Sequence, residues 1–234
     1  MGKVLYMTKG ETHAPPIRGI LLSDFAIGSI VNIMENGTPA KFYVAQHNYE
    51  TSLNGSGRTL LLRADIHSNR VYNPQSNYSN VFDSSDIASW LNGTYKASLD
   101  SDVQNAMGTT KFYCATSTNV SETSPTYQLG TLSKSVFLVS ATELTGSYSD
   151  TTPQEGNKLT PADLIGTPLS GVSDYFWTRS LWAGSRQVVH IYKQVNPIAS
   201  AGGNVSTECG VRPCFTLPAT ALFDKNTLLF KGVL

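Results

Sequence analysis

Short apolar runs interspersed with polar residues fill the first third of the chain, and this pattern is typical of β-strands. Three runs carry it: 27–33 ("IGSIVNI"), 40–45 ("AKFYVA") and 58–66 ("RTLLLRADI"). Asn36-Gly37 lies between the first two, and this dipeptide is the strongest short-range signal for a β-hairpin. The pattern therefore predicts an antiparallel meander of three strands.

The apolar period changes from that of a strand to that of a helix after residue 83. A first short helix is predicted from apolar residues at helical spacing, namely Ile87, Trp90 and Leu91. Ser84 or Ser85 is placed to cap the start of this helix, and Gly93 is expected to end it. A second short helix is predicted from Leu99, Val103 and Met107.

The second half of the chain predicts short strands joined by long loops. The Ser/Thr-rich segment 114–132 is interpreted as a loop, and 134–144 ("KSVFLVSATEL") as a buried strand that runs into a turn. A further strand is predicted at 187–195 ("QVVHIYKQV"), before the Gly-rich 199–205. The fold class is therefore α+β, with antiparallel strands, two or three short helices and long loops. We expect one domain over 24–234, preceded by a lead-in or attachment segment over 1–23.

Composition narrows the classes of partner. Lys+Arg and Asp+Glu both number 17 and no basic run occurs, so no nucleic-acid partner is expected. No window approaches the roughly 20 apolar residues that span a bilayer, and no basic end precedes an apolar core at the N-terminus, so neither membrane insertion nor a signal peptide is expected. Three cysteines cannot all pair within one chain, and Cys114, Cys209 and Cys214 are expected to be buried as small apolar residues.

The sequence shows no pattern of catalytic residues. The four histidines are scattered, no phosphate-binding loop lies between a strand and a helix, and no metal-ligand spacing occurs. Glu143 follows an apolar run and is the acid with the most defined context, but it has no partner recognisable in the sequence. We therefore expect no catalytic residue, no metal, no cofactor and no enzymatic activity.

Four motifs occur in the order of a known domain family: "SSDIASWLNGTY" (84–95), "KSVFLVSATEL" (134–144), "YFWTRS" (175–180) and "GVRPCFTLP" (210–218). Together they resemble an uncharacterised family that is abundant in prophages and in surface proteins of gut Firmicutes. The resemblance extends over about residues 25–223, which is most of the chain.

This resemblance implies a C-type-lectin-like fold in its bacterial form, related to formylglycine-generating-enzyme-like domains and to the variable proteins of diversity-generating retroelements. In such folds, two antiparallel strands near the C-terminus carry the loops that bind a ligand. The residues that the resemblance implies as structural anchors are Trp90, Trp177, Arg179, Arg212 and Pro213. The calcium-binding sequences of animal lectins are absent from this chain, so calcium-dependent sugar binding is not expected.

The resulting hypothesis is a non-enzymatic receptor-recognition or adhesin domain of a phage tail fibre, tail tip or similar surface structure, with its binding face between Trp182 and Glu208. Strand alternation would place Val188, His190, Tyr192 and Gln194 on one face, and three of these are polar or aromatic. The candidate ligand-binding residues are Trp182, Arg186, His190, Tyr192, Gln194, Asn204, Ser206 and Glu208.

A structural virion or assembly protein is the alternative hypothesis, in which the same fold makes subunit contacts without an external ligand. The expected partners are a bacterial cell-surface protein or glycan, other tail or virion subunits, and further copies of this chain, as in the trimers common among fibre proteins. The expected location is the virion, within a phage tail, or the bacterial cell surface.

Overall fold

The computed structural model describes residues 19–74, 80–119, 126–147, 153–161, 168–169, 175–182, 187–192 and 199–234. In these residues, mostly antiparallel sheets combine with a few short helices, which confirms the α+β class. None of the helices in these ranges is long and apolar enough to cross a bilayer.

The strands run in chain order as β1 (Ile20–Leu21), β2 (Ile30–Glu35), β3 (Thr38–Gln46), β4 (Arg58–Arg63), β5 (Ser68–Val71), β6 (Thr110–Asn119), β7 (Thr126–Lys134), β8 (Tyr175–Trp182), β9 (Gln187–Tyr192), β10 (Ala199–Asn204), β11 (Glu208–Val211), β12 (Cys214–Pro218), β13 (Ala221–Phe223) and β14 (Phe230–Val233). The α-helices are α1 (Thr51–Asn54), α2 (Asp86–Trp90), α3 (Lys96–Ser98), α4 (Ser101–Met107) and α5 (Ala141–Thr145).

A four-stranded antiparallel sheet of order β12-β4-β3-β2 confirms the predicted meander. Asn36 and Gly37 have φ values of 48° and 75°, the positive pair that a tight two-residue hairpin requires. Most of β3 and β4 is buried, so this sheet forms the centre of the hydrophobic core.

A five-stranded sheet of order β10-β9-β8-β11-β5 holds the strand predicted at 187–195, which is observed over Gln187–Tyr192. Its pairings are antiparallel except for that of β8 with β11, where Gly210 lies opposite Phe176. A three-stranded sheet of order β1-β13-β14 completes the C-terminal part of the fold. Because Ile20 and Leu21 pair with Phe223 and Leu222, part of the predicted lead-in belongs to this sheet, while 1–18 lie outside the described residues.

The first helix begins as predicted, but Gly93 does not end it. The Ser85 side chain caps α2 by accepting a hydrogen bond from the amide of Ala88. A π-helical turn over Leu91–Tyr95 and then α3 continue the helical path to Ser98. The added Cβ of a residue at position 93 would meet no atom within 4 Å, so Gly93 faces open space and nothing there forces the helix to stop.

Two predicted elements of the second half were wrong. Much of the predicted loop 114–132 belongs to a β-ribbon in which β6 pairs with β7. Its threonines favour strands, and the alternate residues Phe112 and Cys114 are both buried in the core, as on one face of a strand. The segment 135–144 is buried and turns into α5 at its end, but beyond Lys134, the last residue of β7, it makes an isolated bridge between Phe137 and Cys214 instead of a strand. All three cysteines are buried and free, as expected.

Candidate ligand-binding site

The four sequence motifs meet in space and bond to one another. The Asn92 side chain accepts from the amides of Ser135 and Val136 and donates to the carbonyl of Val136. These bonds occupy backbone groups that a regular strand would use, which explains why 134–144 is not one. We call the connecting residues the anchor frame: Asn92, Glu143, Arg179, Ser180, Gly210 and Arg212.

Arg179 is the most completely bonded member of the anchor frame. All five of its N–H donors are used: Nε reaches the Tyr113 carbonyl at 3.0 Å, and the two terminal nitrogens reach Glu143 and the carbonyls of Leu138 and Glu155 at 2.7–3.0 Å. Its guanidinium also lies 5.0 Å from the ring centroid of Phe112. Burial alone would lower the pKa of Arg179, but the Glu143 carboxylate raises it well above its usual value.

Glu143 supplies the acceptors that match this guanidinium. Its two oxygens form a bidentate pair with Arg179, and the side chains of both residues are fully buried. The same carboxylate accepts from the Tyr49 hydroxyl at 2.6 Å and from the Ser140 amide at 2.8 Å, which completes a capping box at the start of α5. The partner that the sequence could not show for Glu143 is therefore Arg179.

A β-bulge brings Arg179 and Ser180 into this network. The register of β8 against β9 shifts between Trp177 and Leu181, and such a bulge re-aims side chains. The Ser180 hydroxyl accepts from the Ala141 amide and donates to the Glu155 carboxylate, whose other oxygen accepts from the Ala115 amide. Burial raises the pKa of Glu155, an acid that no pattern in the sequence singles out.

Trp177 and Arg212 hold the neighbouring strands. The Trp177 indole is fully buried and donates a 2.8 Å hydrogen bond to the carbonyl of Arg70 on β5. Arg212 is also buried, donates from Nε to the Arg63 carbonyl at 2.9 Å and lies over the Phe176 ring. Burial lowers the pKa of Arg212 to about 10. The carbonyl of Pro213, itself buried, accepts from the Arg63 amide.

Gly210 permits the close approach of β11 to β8. A Cβ at this position would lie 2.8 Å from the Tyr175 carbonyl oxygen and 2.7 Å from Cδ1 of Ile66, distances at which something must shift. The backbone oxygen cannot move without displacing β8. Glycine in the "GVRP" motif is therefore required by the spacing of two strands.

We predict that Gly210→Ala lowers the free energy of unfolding by about 1–3 kcal/mol, because the added methyl overpacks this contact. Gly93→Ala is the matched control, since Gly93 is helical and faces open space. That control should raise the free energy of unfolding by about 0.5–1 kcal/mol. Urea denaturation measures both, and equal stabilities of the two variants would contradict the close-approach argument.

The predicted ligand-binding residues lie at several places on the five-stranded sheet. Trp182 ends β8, half-buried against the core, and its carbonyl accepts from the Asn80 side chain. His190 and Tyr192 pair through their backbone with Trp177 and Tyr175 of β8. Arg186 and Gln194 lie outside the described residues.

The remaining candidates lie around the turn from β10 to β11: Asn204 ends β10, Glu208 begins β11, and Ser206 lies between them. Asn204 pairs with Gln187 across β9–β10, and its side chain accepts from the amide and hydroxyl of Ser206. Glu208 instead begins β11 and pairs with Val71 of β5, so it lies on the other side of β8 from β9. Asn204 and Glu208 are exposed, whereas Ser206 is half-buried.

Glu208 borders a polar cleft that sequence reasoning missed. This Arg70 cleft is about 270 Å³ and lies where β5, β11 and α2 meet; its lining residues are Asn69, Arg70, Val71, Asp86, Ile87 and Glu208. The Arg70 guanidinium stacks on Trp90, 4.3 Å from the ring centroid, and His67 and Tyr95 pack beside that ring. Trp90 is half-buried, and its ring packs against the Arg70 guanidinium in a cation–π contact.

A model of one protein family, described as a domain of unknown function (DUF6273), matches residues 56–219. The chain belongs to the DUF6273 family. The matched region of this DUF6273 protein includes the anchor frame, all eight predicted ligand-binding residues and the Arg70 cleft. No curated protein and no solved structure matches the chain. Within the described residues, no group of three or more His, Cys, Asp and Glu side chains is arranged to hold a metal ion.

Proposed function

We propose that this DUF6273 protein is a non-enzymatic ligand-binding domain, the receptor-recognition or adhesin part of a phage tail fibre, tail tip or similar surface structure. Its binding face runs over β8–β11 and includes the residues between Trp182 and Glu208. The observation that carries the proposal is that Arg179 uses every donor it has inside the protein.

Residues whose hydrogen-bonding capacity is consumed by the fold are not available to a ligand. Arg179 and Glu143 form an ion pair with each other, and the Ser180 hydroxyl accepts one hydrogen bond and donates another. Breaking such a buried pair is strongly destabilising, so these residues are a scaffold. Recognition then belongs to side chains that the scaffold displays, such as the exposed Asn204 and Glu208.

A C-type-lectin-like arrangement is part of the proposal. It is supported by the antiparallel pair β8–β9 near the C-terminus and by the short helices packed on antiparallel sheets. In this arrangement the anchor frame fixes the strands, and the segment between Trp182 and Glu208 varies with the ligand. The proposed partner is a bacterial cell-surface protein or glycan. An oligomer of this chain, located on the virion or the cell surface, would bind it.

Binding of intact cells tests the proposed function. The labelled full chain is expected to bind at least one species in a panel of Gram-positive gut bacteria, measured by flow cytometry. The Tyr192→Ala/Glu208→Ala variant is expected to bind at least about tenfold more weakly, because few residues, often tyrosines, carry most of the energy of an interface.

The control is Asp102→Ala/Lys231→Ala, which removes exposed charges on α4 and β14 and should leave cell binding unchanged. Equal binding by a folded Tyr192→Ala/Glu208→Ala variant would show that the face is wrongly assigned. Failure of the wild type to bind any cell, together with a discrete oligomer in light scattering, would favour the assembly role instead.

A further inference from the structure

The Arg70 cleft combines three charged side chains, those of Arg70, Asp86 and Glu208, that form no ion pair with one another. Of the five arginines in the described ranges, Arg58, Arg63, Arg179 and Arg212 each donate hydrogen bonds to the protein. The Arg70 guanidinium donates none to another described residue and is held only by its stacking on Trp90. Its donors therefore remain available at the rim of the cleft.

The acids of the cleft are also available. Asp86 and Glu208 are exposed, and neither carboxylate forms an ion pair within the described residues. The Asp86 amide donates to the Asn73 side chain, so the backbone that carries this carboxylate is fixed at the start of α2. With one positive and two negative side chains, the cleft carries a net charge of −1.

This combination selects for the type of ligand. A phosphate or other multiply charged anion would be repelled by the two carboxylates, and a simple cation would be repelled by the Arg70 guanidinium. A neutral ligand with adjacent hydroxyl groups suits both, because each hydroxyl donates to a carboxylate and accepts from a guanidinium or amide N–H. Val71, which is half-buried, adds apolar surface for the C–H groups of such a ligand.

The size of the cleft also limits the ligand. Pockets for drug-sized molecules measure about 300–1,000 Å³, and the Arg70 cleft lies just below this range at about 270 Å³. It therefore suits one small ring or the end of a chain.

We propose that the Arg70 cleft binds one neutral sugar residue, such as the end of a surface polysaccharide. Arg70 and Asn69 donate to ring hydroxyls, and Asp86 and Glu208 accept from them. The inference rests on the proposed function, because it names the ligand class at the Glu208 end of the proposed binding face. It adds three residues from outside the segment predicted from sequence, namely Asn69, Arg70 and Asp86.

Titration of the isotope-labelled full chain with neutral monosaccharides, followed by NMR, tests the sugar site. The probes are glucose, galactose, N-acetylglucosamine and rhamnose, with inorganic phosphate and glycine as charged comparisons. At least one sugar should shift the amide signals of residues 69–71, 86–87 and 208 saturably, with a Kd in the roughly millimolar range expected of one sugar unit. Absence of such shifts for all four sugars, or tighter binding of phosphate or glycine in the cleft, would overturn the inference.

Three variants separate recognition from folding. Arg70→Met keeps an unbranched stem for packing on Trp90 but removes the donors, and Glu208→Gln keeps the shape but removes the charge. Each substitution should raise the Kd for the sugar by at least about tenfold, as expected for the loss of a hydrogen bond to a charged group. The control, Asp102→Asn, changes an exposed acid in the first turn of α4 and should bind as the wild type does. Unchanged affinity in a folded Arg70→Met variant would refute the site.

The two proposals fail in different ways. If the wild type binds cells but neutral sugars neither shift the cleft signals nor compete with the cells, the sugar site is wrong and the adhesin role stands. If a sugar binds in the cleft but no cell is bound, the sugar site stands and the adhesin role is wrong.

Discussion

Replacing Glu143 by glutamine is expected to lower the free energy of unfolding by about 3–5 kcal/mol, because it leaves a buried guanidinium without its counter-charge. The Arg179 and Glu143 side chains are both fully buried, and their N–O distances are 2.7 Å and 3.0 Å. The same carboxylate accepts from Tyr49 and Ser140, so glutamine also disturbs the start of α5. Urea denaturation with a folded-state spectrum at zero urea measures this loss.

Asp83→Asn is the matched control for the buried ion pair. Asp83 pairs with Lys134 at 2.7 Å, but these side chains are 50% and 28% exposed. An exposed pair contributes only about 0–1 kcal/mol, so this variant should remain close to the wild type. A Glu143→Gln variant that loses no more stability than Asp83→Asn would contradict the scaffold role of Arg179.

Replacing both partners by apolar residues should not rescue the protein. Apolar replacement of a buried ion pair is often neutral when the pair serves only itself. Here the Arg179 guanidinium also satisfies the carbonyls of Tyr113, Leu138 and Glu155. An Arg179→Met/Glu143→Leu variant would remove a donor from each of those carbonyls, of which that of Glu155 keeps the Ser140 hydroxyl, and would leave the Tyr49 hydroxyl unbonded. It should be no more stable than Glu143→Gln.

Replacing Trp177 by alanine is expected to cost about 3–5 kcal/mol of unfolding free energy, because it opens a large cavity in the core. Trp177 is fully buried, packs edge-on against Tyr72 and donates to the Arg70 carbonyl. Trp177→Phe retains part of the ring but loses that hydrogen bond, so its loss of stability should be smaller. Both are measured by urea denaturation.

Leu129→Ala is the control for Trp177, because Leu129 is an apolar residue with 45% of its surface exposed. Its loss should stay within about 0.5 kcal/mol, as for most surface substitutions. If Trp177→Ala were no more costly than Leu129→Ala, the tryptophan would not be an anchor of β8.

The hairpin and the first helix could be predicted from sequence because their signals are local. Asn36-Gly37 adopts the positive φ values that its turn requires, and Ser85 caps the helix that follows it. The prediction that the helix ends at Gly93 was wrong, because the helical path beyond this residue depends on contacts with distant parts of the chain, including the bond between Asn92 and Val136. The ribbon over β6 and β7 was missed because its Ser/Thr-rich composition, typical of loops, also suits strands.

The candidate site was predictable only in part. The sequence singled out Glu208 and Asn204, which are exposed on the five-stranded sheet, but the sheet order separates β11 from β9. Arg70, Asp86 and Glu208 come from three separate elements: the pairing of β5 with β11 brings Arg70 and Glu208 together, and the bond from the Asp86 amide to Asn73 holds the start of α2 beside them. Nothing local marks Arg70, because what distinguishes it is a guanidinium that donates no hydrogen bond within the described residues, whereas those of the other four described arginines do.

The self-contained bonding of the anchor frame separates stability from recognition. Its hydrogen bonds connect Arg179 and Ser180 of β8 with residues that are distant in sequence, among them Tyr113, Ala141, Glu143 and Glu155. Substitutions far from a network generally combine additively with those inside it. We expect substitutions of exposed residues outside this network, such as Asn204 and Glu208, to leave its contribution to stability unchanged, so that this protein can carry engineered binding surfaces.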